Sequence, residues 1–327
     1  MSRTTATSTT QPNNAEQDGQ IQEYCKNLLS ILPKERWYGS AYLYKYKGFW
    51  LGPNQLPGLI TLQSHFQAQD TDILLITTPK SGTTWLKALM FALANRKEYP
   101  INQNHPLLQQ NPHALVPFME LSVSPEKLNP ADHSYRCRQL FSSHSPLRLL
   151  PESVLSSGCK IVYLCRNIKD VCVSYWHFNK KLGTETSFEE FFDMFCKGVS
   201  LSGPVWDHAL DYWKESLEKP EKILFLKYEG LKEKPGFHLK LLAEFIGCLI
   251  SPDEERSGLV DEILGLCSFD NLRNLDVNKY GRGRTTGNEA YFRKGEVGDW
   301  KNYLTEEMAE RLDQITAQKF HGYGLNL

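Results

Sequence analysis

The stretch Asp72–Arg96, DILLITTPKSGTTWLKALMFALANR, decides how this chain of 327 residues reads. Four bulky apolar residues, Ile73 to Ile76, stand between polar Asp72 and Thr77. A short unbroken apolar run fits a strand buried on both faces. Thr78-Pro79-Lys80-Ser81-Gly82-Thr83-Thr84 follows, a turn rich in small residues. Trp85, Leu86, Leu89, Met90 and Leu93 then recur at helical spacing, with good helix formers between them. Strand, loop and helix in that order present a helix N-terminus to an anion. Backbone N–H groups there are unpaired, and the aligned peptide dipoles favour negative charge. Gly82 has no Cβ to hold a ligand off the backbone. Thr83 and Thr84 add hydroxyls, and Lys80 adds a mobile point charge. The stretch reads as a phosphate cradle; its plainer reading is a strand-to-helix turn capped by Ser and Thr. It is not the G-x-x-x-x-G-K-[ST] loop of ordinary nucleotide binders, because Lys80 comes two residues before the one glycine.

The bulk numbers narrow the class. Apolar residues make up 41% and charged residues 23%, which fits a soluble globular protein. A net charge of −1 gives no global signature of a nucleic-acid binder. No apolar run approaches the ~20 residues needed to span a membrane. The eight cysteines are scattered and no C-x-x-C occurs, so neither zinc spacing nor a redox pair is visible. Cys159, Cys165 and Cys172 sit among apolar residues and read as small core residues, which suits a reducing, cytoplasmic setting. Residues 1–20 are rich in Thr, Ser, Asn and Gln, with no apolar core of a signal peptide. They read as a disordered tail, and 21–327 as one domain.

Further along, Ile21 to Leu32 predicts a short helix ended by Pro33. WYGSAYLYKYKGFW, Trp37 to Trp50, reads as strand and loop packed on the core and also as an aromatic wall for an apolar acceptor, and the two can both hold. Leu59 to Gln67 predicts a helix. Arg138 to Pro146 predicts a strand ending in a turn that carries His144. Cys159 to Cys165, CKIVYLC, is a second buried-strand run, with Arg166 at its C-terminal end, where open α/β sheets bind ligands. Ser174 lies eight residues on, two turns into an aromatic-rich helix. Lys222 to Tyr228, KILFLKY, is a third strand. Phe237 to Phe245 predicts a helix. Asp276 to Tyr291 is long and rich in Gly, Asn, Thr and Arg, and reads as a functional lid or a disordered loop. Thr305 caps a final helix with Met308, Leu312 and Ile315 on one face.

Several of these segments, in order, resemble one family. TTPKSGTTWLKAL is similar to the phosphosulfate-binding loop of the cytosolic sulfotransferases. FRKGEVGDWKN matches their other nucleotide motif, and NPHALVPFMEL resembles their plant branch. The resemblance covers about residues 30 to 320. It implies an α/β fold, a single domain around a central parallel sheet, with the phosphosulfate-binding strand-loop-helix at its centre. It implies transfer of a sulfuryl group from 3′-phosphoadenosine-5′-phosphosulfate (PAPS) to a hydroxyl of a small organic acceptor. Flavonoids, steroids and other plant metabolites are the acceptors it suggests, adenosine 3′,5′-bisphosphate is the product nucleotide, and no metal is needed.

The resemblance also assigns residues. Lys80, Ser81, Gly82, Thr83, Thr84 and Trp85 hold the phosphosulfate end, and Lys80 is also catalytic. Arg166, Ser174, Arg293 and Lys294 hold the 3′-phosphate, with Gly295 giving backbone access. Ser174 is further implied to restrain Lys80 until the acceptor arrives. Tyr228 lies by the adenine, unless it is simple core, and Phe269 touches the nucleotide. His144 is the general base. The chain departs from the pattern at Ser143 and Cys267, both in place of Thr, and at Ile168 in place of Pro. Ser142 stands where many animal relatives carry Lys. Animal relatives pair through Lys-x-x-x-Thr-Val-x-x-x-Glu. Here Lys301, Thr305 and Glu310 match, but Glu306 replaces the Val, so a monomer or weak homodimer is expected. Two other readings remain at this point. A P-loop kinase or NTPase would need a GK[ST] sequence and Mg²⁺ ligands, and neither is evident. A non-catalytic PAPS-binding or small-molecule-binding protein would have lost its base, and His144 argues against it.

Overall fold

Ile73–Thr77 is a strand with all five residues buried, at the centre of a parallel sheet. The computed structural model describes residues 14–38, 41–101, 103–121, 139–283 and 286–327. Its strands are β1 (Lys34–Tyr38), β2 (Ala41–Tyr46), β3 (Phe49–Leu51), β4 (Ile73–Thr77), β5 (Leu140–Ser143), β6 (Lys160–Cys165) and β7 (Ile223–Lys227). The parallel sheet runs β5-β4-β6-β7. Its register aligns Ile73 with Leu140 and Lys160, and Ile161 with Ile223. Side chains alternate along each strand, so the sheet feeds two cores. Leu74, Ile76, Ile161 and Tyr163 join one, with the helices Ile168–Lys181, Phe188–Cys196 and Val205–Glu218. Ile73, Leu75, Val162 and Leu164 join the other, with Thr83–Ala94, Pro235–Phe245 and Leu259–Leu266. Burial on both faces is why the two inner strands, β4 and β6, read as unbroken apolar runs.

The remaining elements correct the expected tail and bear on two readings the sequence leaves open. A single helix covers Asn14–Ile31, so the tail reading fails over residues 14–20, and the helix starts before Ile21. Lack of bulky apolar residues does not prevent a helix. Ala15, Glu16, Gln17 and Gln20 are good helix formers. Cys25 of this helix is buried among Leu56, Leu59 and Leu149. Residues 1–13 lie outside the described residues.

The aromatic segment forms the small antiparallel sheet β1-β2-β3. Trp37 packs against Tyr175 and Phe191, and no described residue from 37 to 50 lines the cavity discussed below. It is core, not an acceptor wall. The segment 276–291 is not structureless on either side of residues 284–285, which lie outside the described residues. It contains a helical turn, Asp276–Lys279, and a 3-10 turn, Asn288–Tyr291. Asparagine side chains do the pairing there: Asn111 Nδ2 donates to Asn278 Oδ1 at 2.8 Å, and Asn288 Nδ2 to the Val277 carbonyl at 2.8 Å.

Candidate active site

The four parallel strands end at one edge, and the residue after each end is polar or aromatic and functional in kind. After β4 comes the loop 78–82, after β5 His144, after β6 Arg166, and after β7 Tyr228. A cavity of about 1140 Å³ opens there. Pockets for one drug-sized ligand run to roughly 300–1,000 Å³, so this cavity lies above the upper end of that range.

Gly82 is the N-cap of the helix Thr83–Ala94, at φ 104°. A Cβ there would meet the Tyr228 ring at 2.7 Å, so glycine serves both the left-handed backbone and the close approach. Lys80 is also left-handed, at φ 71°, a conformation that costs a non-glycine residue roughly 1–2 kcal/mol. The strain belongs to a tight turn in which the Ser81 N–H donates back to the Thr78 carbonyl at 3.3 Å. The Lys80 ammonium lies 4.0 Å over the Phe178 ring. Burial lowers its pKa to about 7, and Arg166, Arg293 and Lys181 push the same way.

The loop hydroxyls point in different directions. Ser81 is fully buried, its Oγ 2.6 Å from Thr78 Oγ1, and it does not line the cavity. Thr83 Oγ1 turns back to Thr77 Oγ1 at 2.7 Å, while Thr84 Oγ1 lies 2.9 Å from His113 Nε2.

His144 Nδ1 lies 2.6 Å from the Thr77 carbonyl oxygen, which makes Nδ1 the donor and leaves the Nε2 lone pair free. Its backbone N–H donates to Glu120 Oε1 at 2.8 Å, and its carbonyl accepts from His208 Nε2 at 3.2 Å. The ring stands 4.6 Å from that of Phe118. Burial lowers the His144 pKa to about 3, although the Thr77 carbonyl opposes this. The imidazole is therefore neutral at physiological pH. Phe118, Leu121, Tyr175, Phe178, Leu201 and Tyr291 give the wall on this side its apolar and aromatic character.

At the other end, Arg166 is buried over the Tyr228 ring, 4.6 Å from its centroid. It donates to the Glu296 carbonyl at 2.6 Å and pairs with Asp170 at 3.5 Å. Asp170 also accepts from the backbone N–H groups of Gly298 and Trp300, at 2.8 and 3.1 Å. One carboxylate thus ties Arg166 to the loop after Gly295. Asp299 accepts from both Arg293 and Lys294, the latter at 2.6 Å. These contacts, with Asn302, hold the Asp299 carboxyl down at about 2 against its burial. Tyr228 OH donates to the Gly295 carbonyl at 2.9 Å. A Cβ on Gly295, at φ 68°, would meet the Phe269 ring at 2.6 Å. Trp85 lies edge-on to Tyr228 at 5.7 Å. Ser174 lines the cavity from the helix Ile168–Lys181.

A nucleoside carrying one phosphate at each end of a short span suits this arrangement. Two glycine-bared backbones, aromatic faces and four cations, Lys80, Arg166, Arg293 and Lys294, are available to it. Residues 70–324 match the family model described as the sulfotransferase domain. Cytosolic sulfotransferases 6 and 5 of Arabidopsis thaliana are 48% and 47% identical to the chain over 314 residues each. Those alignments cover 94% and 93% of this chain, and 95% and 97% of the relatives. The chain belongs to the sulfotransferase family. It is an enzyme of the plant cytosolic type, a transferase of sulfuryl groups.

A crystal structure described as that of a candidate steroid sulphotransferase of Arabidopsis thaliana superposes with TM-score 0.75 at 41% identity, covering 95% of this chain and 97% of that one. A mouse sulfotransferase crystallised with PAP superposes with TM-score 0.67 at 26% identity, covering 86% and 95%. The kinase reading is thereby set aside.

Every site residue named from the sequence of this sulfotransferase lines the cavity except Ser81. Ser81 brings its backbone to the loop, and its hydroxyl faces inward. Sequence reading missed Asp170, Asp299, Glu120, His208, Lys87 and His113. Of these, Asp299 stood four residues past Gly295 in a matched motif, Lys87 stood in TTPKSGTTWLKAL, and His113 and Glu120 stood in the segment NPHALVPFMEL. Their partners could not be read from the chain.

Proposed function

We propose that this sulfotransferase takes PAPS as its donor and a hydroxyl of a small, largely apolar organic molecule as its acceptor. Arg166, Ser174, Arg293 and Lys294 hold the 3′-phosphate, and Trp85, Tyr228 and Phe269 flank the adenine. Lys80 and the N–H groups of residues 82–84 hold the phosphosulfate end. The fit is supported by the Gly82 and Gly295 cradles and by the buried Nε atoms of Arg166 and Arg293, which have no partner. PAPS brings the sulfuryl group and a leaving phosphate. His144 Nε2 takes the acceptor's hydroxyl proton as its oxygen bonds to sulfur, in line with the breaking sulfur–oxygen bond. Lys80 and the loop N–H groups stabilise the electron pair left on the phosphate. Ser174 restrains Lys80 until the acceptor arrives. A sulfuryl group carries less negative charge than a phosphoryl group, so Lys80 and backbone dipoles suffice without a metal.

The observation that carries this reading is His144 itself. A neutral imidazole has its Nδ1 pinned by Thr77 and its free Nε2 beside an aromatic wall, at the edge where the phosphate loop ends. The aromatic lining favours flat hydroxylated acceptors such as flavonoids and steroids; the name of the Arabidopsis neighbour points the same way. Cytosolic placement follows from the names of the relatives.

The test is sulfation of an acceptor panel with labelled PAPS, in EDTA, reading release of adenosine 3′,5′-bisphosphate. Phosphate transfer from ATP with Mg²⁺, and none from PAPS, would overturn the reading. The protein is further proposed to be a monomer or weak dimer. Glu306 is exposed at the start of the helix Glu306–Phe320, where the dipole favours it, whereas two such residues facing each other across a two-fold axis would repel. Light scattering at micromolar concentration checks this; a stable dimer dissociated by Lys301→Ala is the contrary result.

A further inference from the structure

Behind the phosphate loop runs a polar chain that the proposed chemistry leaves unused. Lys87 lies in the helix Thr83–Ala94, one turn below the loop, and is 0% exposed. Its Nζ stands 3.0 Å from His113 Nδ1 and 3.5 Å over the Phe118 ring. His113 Nε2 stands 2.9 Å from Thr84 Oγ1. Thr84, His113 and Phe118 line the cavity; Lys87 does not. Leu86, Ala88 and Leu89 beside it are equally buried and apolar. A leucine or methionine would fill that slot without the cost of desolvating an amine. A role in packing therefore gives no reason for lysine here.

The donor order along the chain follows from what each group can give. An ammonium only donates, so Lys87 Nζ gives a hydrogen to His113 Nδ1. Burial, and next the Lys87 charge, hold His113 well below the ordinary imidazole range, so its ring is neutral. A neutral imidazole accepting at Nδ1 carries its hydrogen on Nε2 and gives it to Thr84 Oγ1. The Thr84 hydroxyl, accepting on that side, has its own hydrogen left for the cavity. Thr83 does not duplicate this, because its hydroxyl is engaged with Thr77. Burial lowers the Lys87 pKa as well, and Glu120, whose Oε1 holds the His144 backbone, opposes that shift. As a neutral amine, Lys87 could instead accept from Nδ1. The chain would then reverse and consume the Thr84 hydrogen.

We propose that Lys87 and His113 are positioning residues: Lys87 fixes His113 in its Nε2–H tautomer, and His113 aims the Thr84 hydroxyl hydrogen at the leaving phosphate. The inference rests on the reading that this loop holds the phosphosulfate end of PAPS. It gives the site a second histidine whose task differs from that of His144, which takes the acceptor's proton.

Nitrogen-15 NMR of histidine-labelled protein reads the tautomer directly. The expected spectrum shows His113 protonated at Nε2 in the wild type, with that preference lost in Lys87→Met. Protonation at Nδ1 in the wild type overturns the proposal. Kinetics supply the second arm. Lys87→Met is expected to lower kcat about tenfold while KM for PAPS moves less than about twofold, because a misdirected donor matters most where charge develops. In a Thr84→Val background the same substitution should cost no further activity, whereas independent, multiplying losses overturn the chain. Thr84→Val with wild-type kcat would refute instead the placement of the donor against Thr84, and the tautomer measurement would still stand alone. If Lys87→Met does not fold, His113→Phe on the cavity wall, which keeps a ring but neither accepts from Lys87 nor donates to Thr84, enters the same cycle with the same two outcomes.

Discussion

Beside His144, the cation that faces the reaction is Lys80. No carboxylate lies within ion-pairing distance of it among the described residues, and an aromatic ring is its nearest companion. Around Gly295, the cations are Arg166, Arg293 and Lys294, and each already has a buried aspartate, Asp170 or Asp299. An unpaired buried ammonium is poorly solvated and gains most when negative charge builds up next to it. Paired cations start near neutrality, so a phosphate has to compete with a carboxylate for them. The first arrangement suits a charge that appears only in the transition state. The second suits a permanent charge that must be recognised and later released. Substitutions at the first end should therefore appear in kcat, and those at the second in KM.

The largest expected effect is at His144. His144→Ala should lower kcat on an alcohol acceptor by roughly 10³, within the range for loss of a general base, with PAPS affinity nearly unchanged. Phenols should recover much of that rate at high pH, since a phenolate needs little proton removal. Full activity on an alcohol at neutral pH would sink the assignment.

Lys80→Ala comes next, with kcat down about 10² and a smaller change in PAPS binding, as for removal of one preorganised cation. The pH dependence gives the sign. The Lys80 pKa sits at about 7 in the free enzyme, so its charge is lost as pH rises through that value, and kcat/KM for PAPS should fall on the alkaline side. His144 cannot produce that limb, because it is neutral everywhere above about 3. An alkaline limb that persists in Lys80→Ala belongs to another group.

The residues behind these two predictions were legible in the chain for a physical reason. Lys80 follows an apolar run buried on both faces, and His144 follows a shorter strand, Leu140–Ser143, whose last two residues are serines, so each strand end and its site residue stand together in sequence. What supports them was not legible. Glu120 holds the His144 backbone from 24 residues away, Lys87 reaches His113 across 26, and Asp170 reaches Gly298 across 128. Nothing local distinguishes such an Asp or Glu from a solvated one. The left-handed backbone of Lys80 was equally hidden, since that region favours Gly or Asn. The inward turn of the Ser81 hydroxyl depends on Thr78, a neighbour whose own rotamer the chain does not announce.

At the paired end, Arg166→Ala and Lys294→Ala should each raise KM for PAPS about tenfold and leave kcat within about twofold, the scale of one charge-assisted bond to phosphate. Adenosine 5′-phosphosulfate, which lacks the 3′-phosphate, serves as control. Losses of equal size with both donors would show that these residues support the fold and not the 3′-phosphate. Arg166 should show the larger loss, because it is buried and also donates to the Glu296 carbonyl, whereas Lys294 is more exposed.

The smallest effect has the opposite sign and tests the pairing itself. Asp299→Asn keeps the shape of the side chain and an oxygen for Arg293, but removes the charge that neutralises Arg293 and Lys294. If that carboxylate competes with the 3′-phosphate, its loss should tighten adenosine 3′,5′-bisphosphate roughly threefold, the scale of a partly exposed ion pair. Product release would slow accordingly, so kcat should fall wherever release limits turnover. The free protein should lose stability, since two cations are left facing each other without a counter-charge. Added nucleotide should restore more thermal stability to the variant than to the wild type, because the phosphate then supplies the missing charge. Calorimetric binding and melting with and without the nucleotide check both halves. Weaker nucleotide binding together with lower stability would mean that Asp299 chiefly orients Arg293 and Lys294. The two ends of the cavity would then differ in geometry, and charge pairing would not be what separates them.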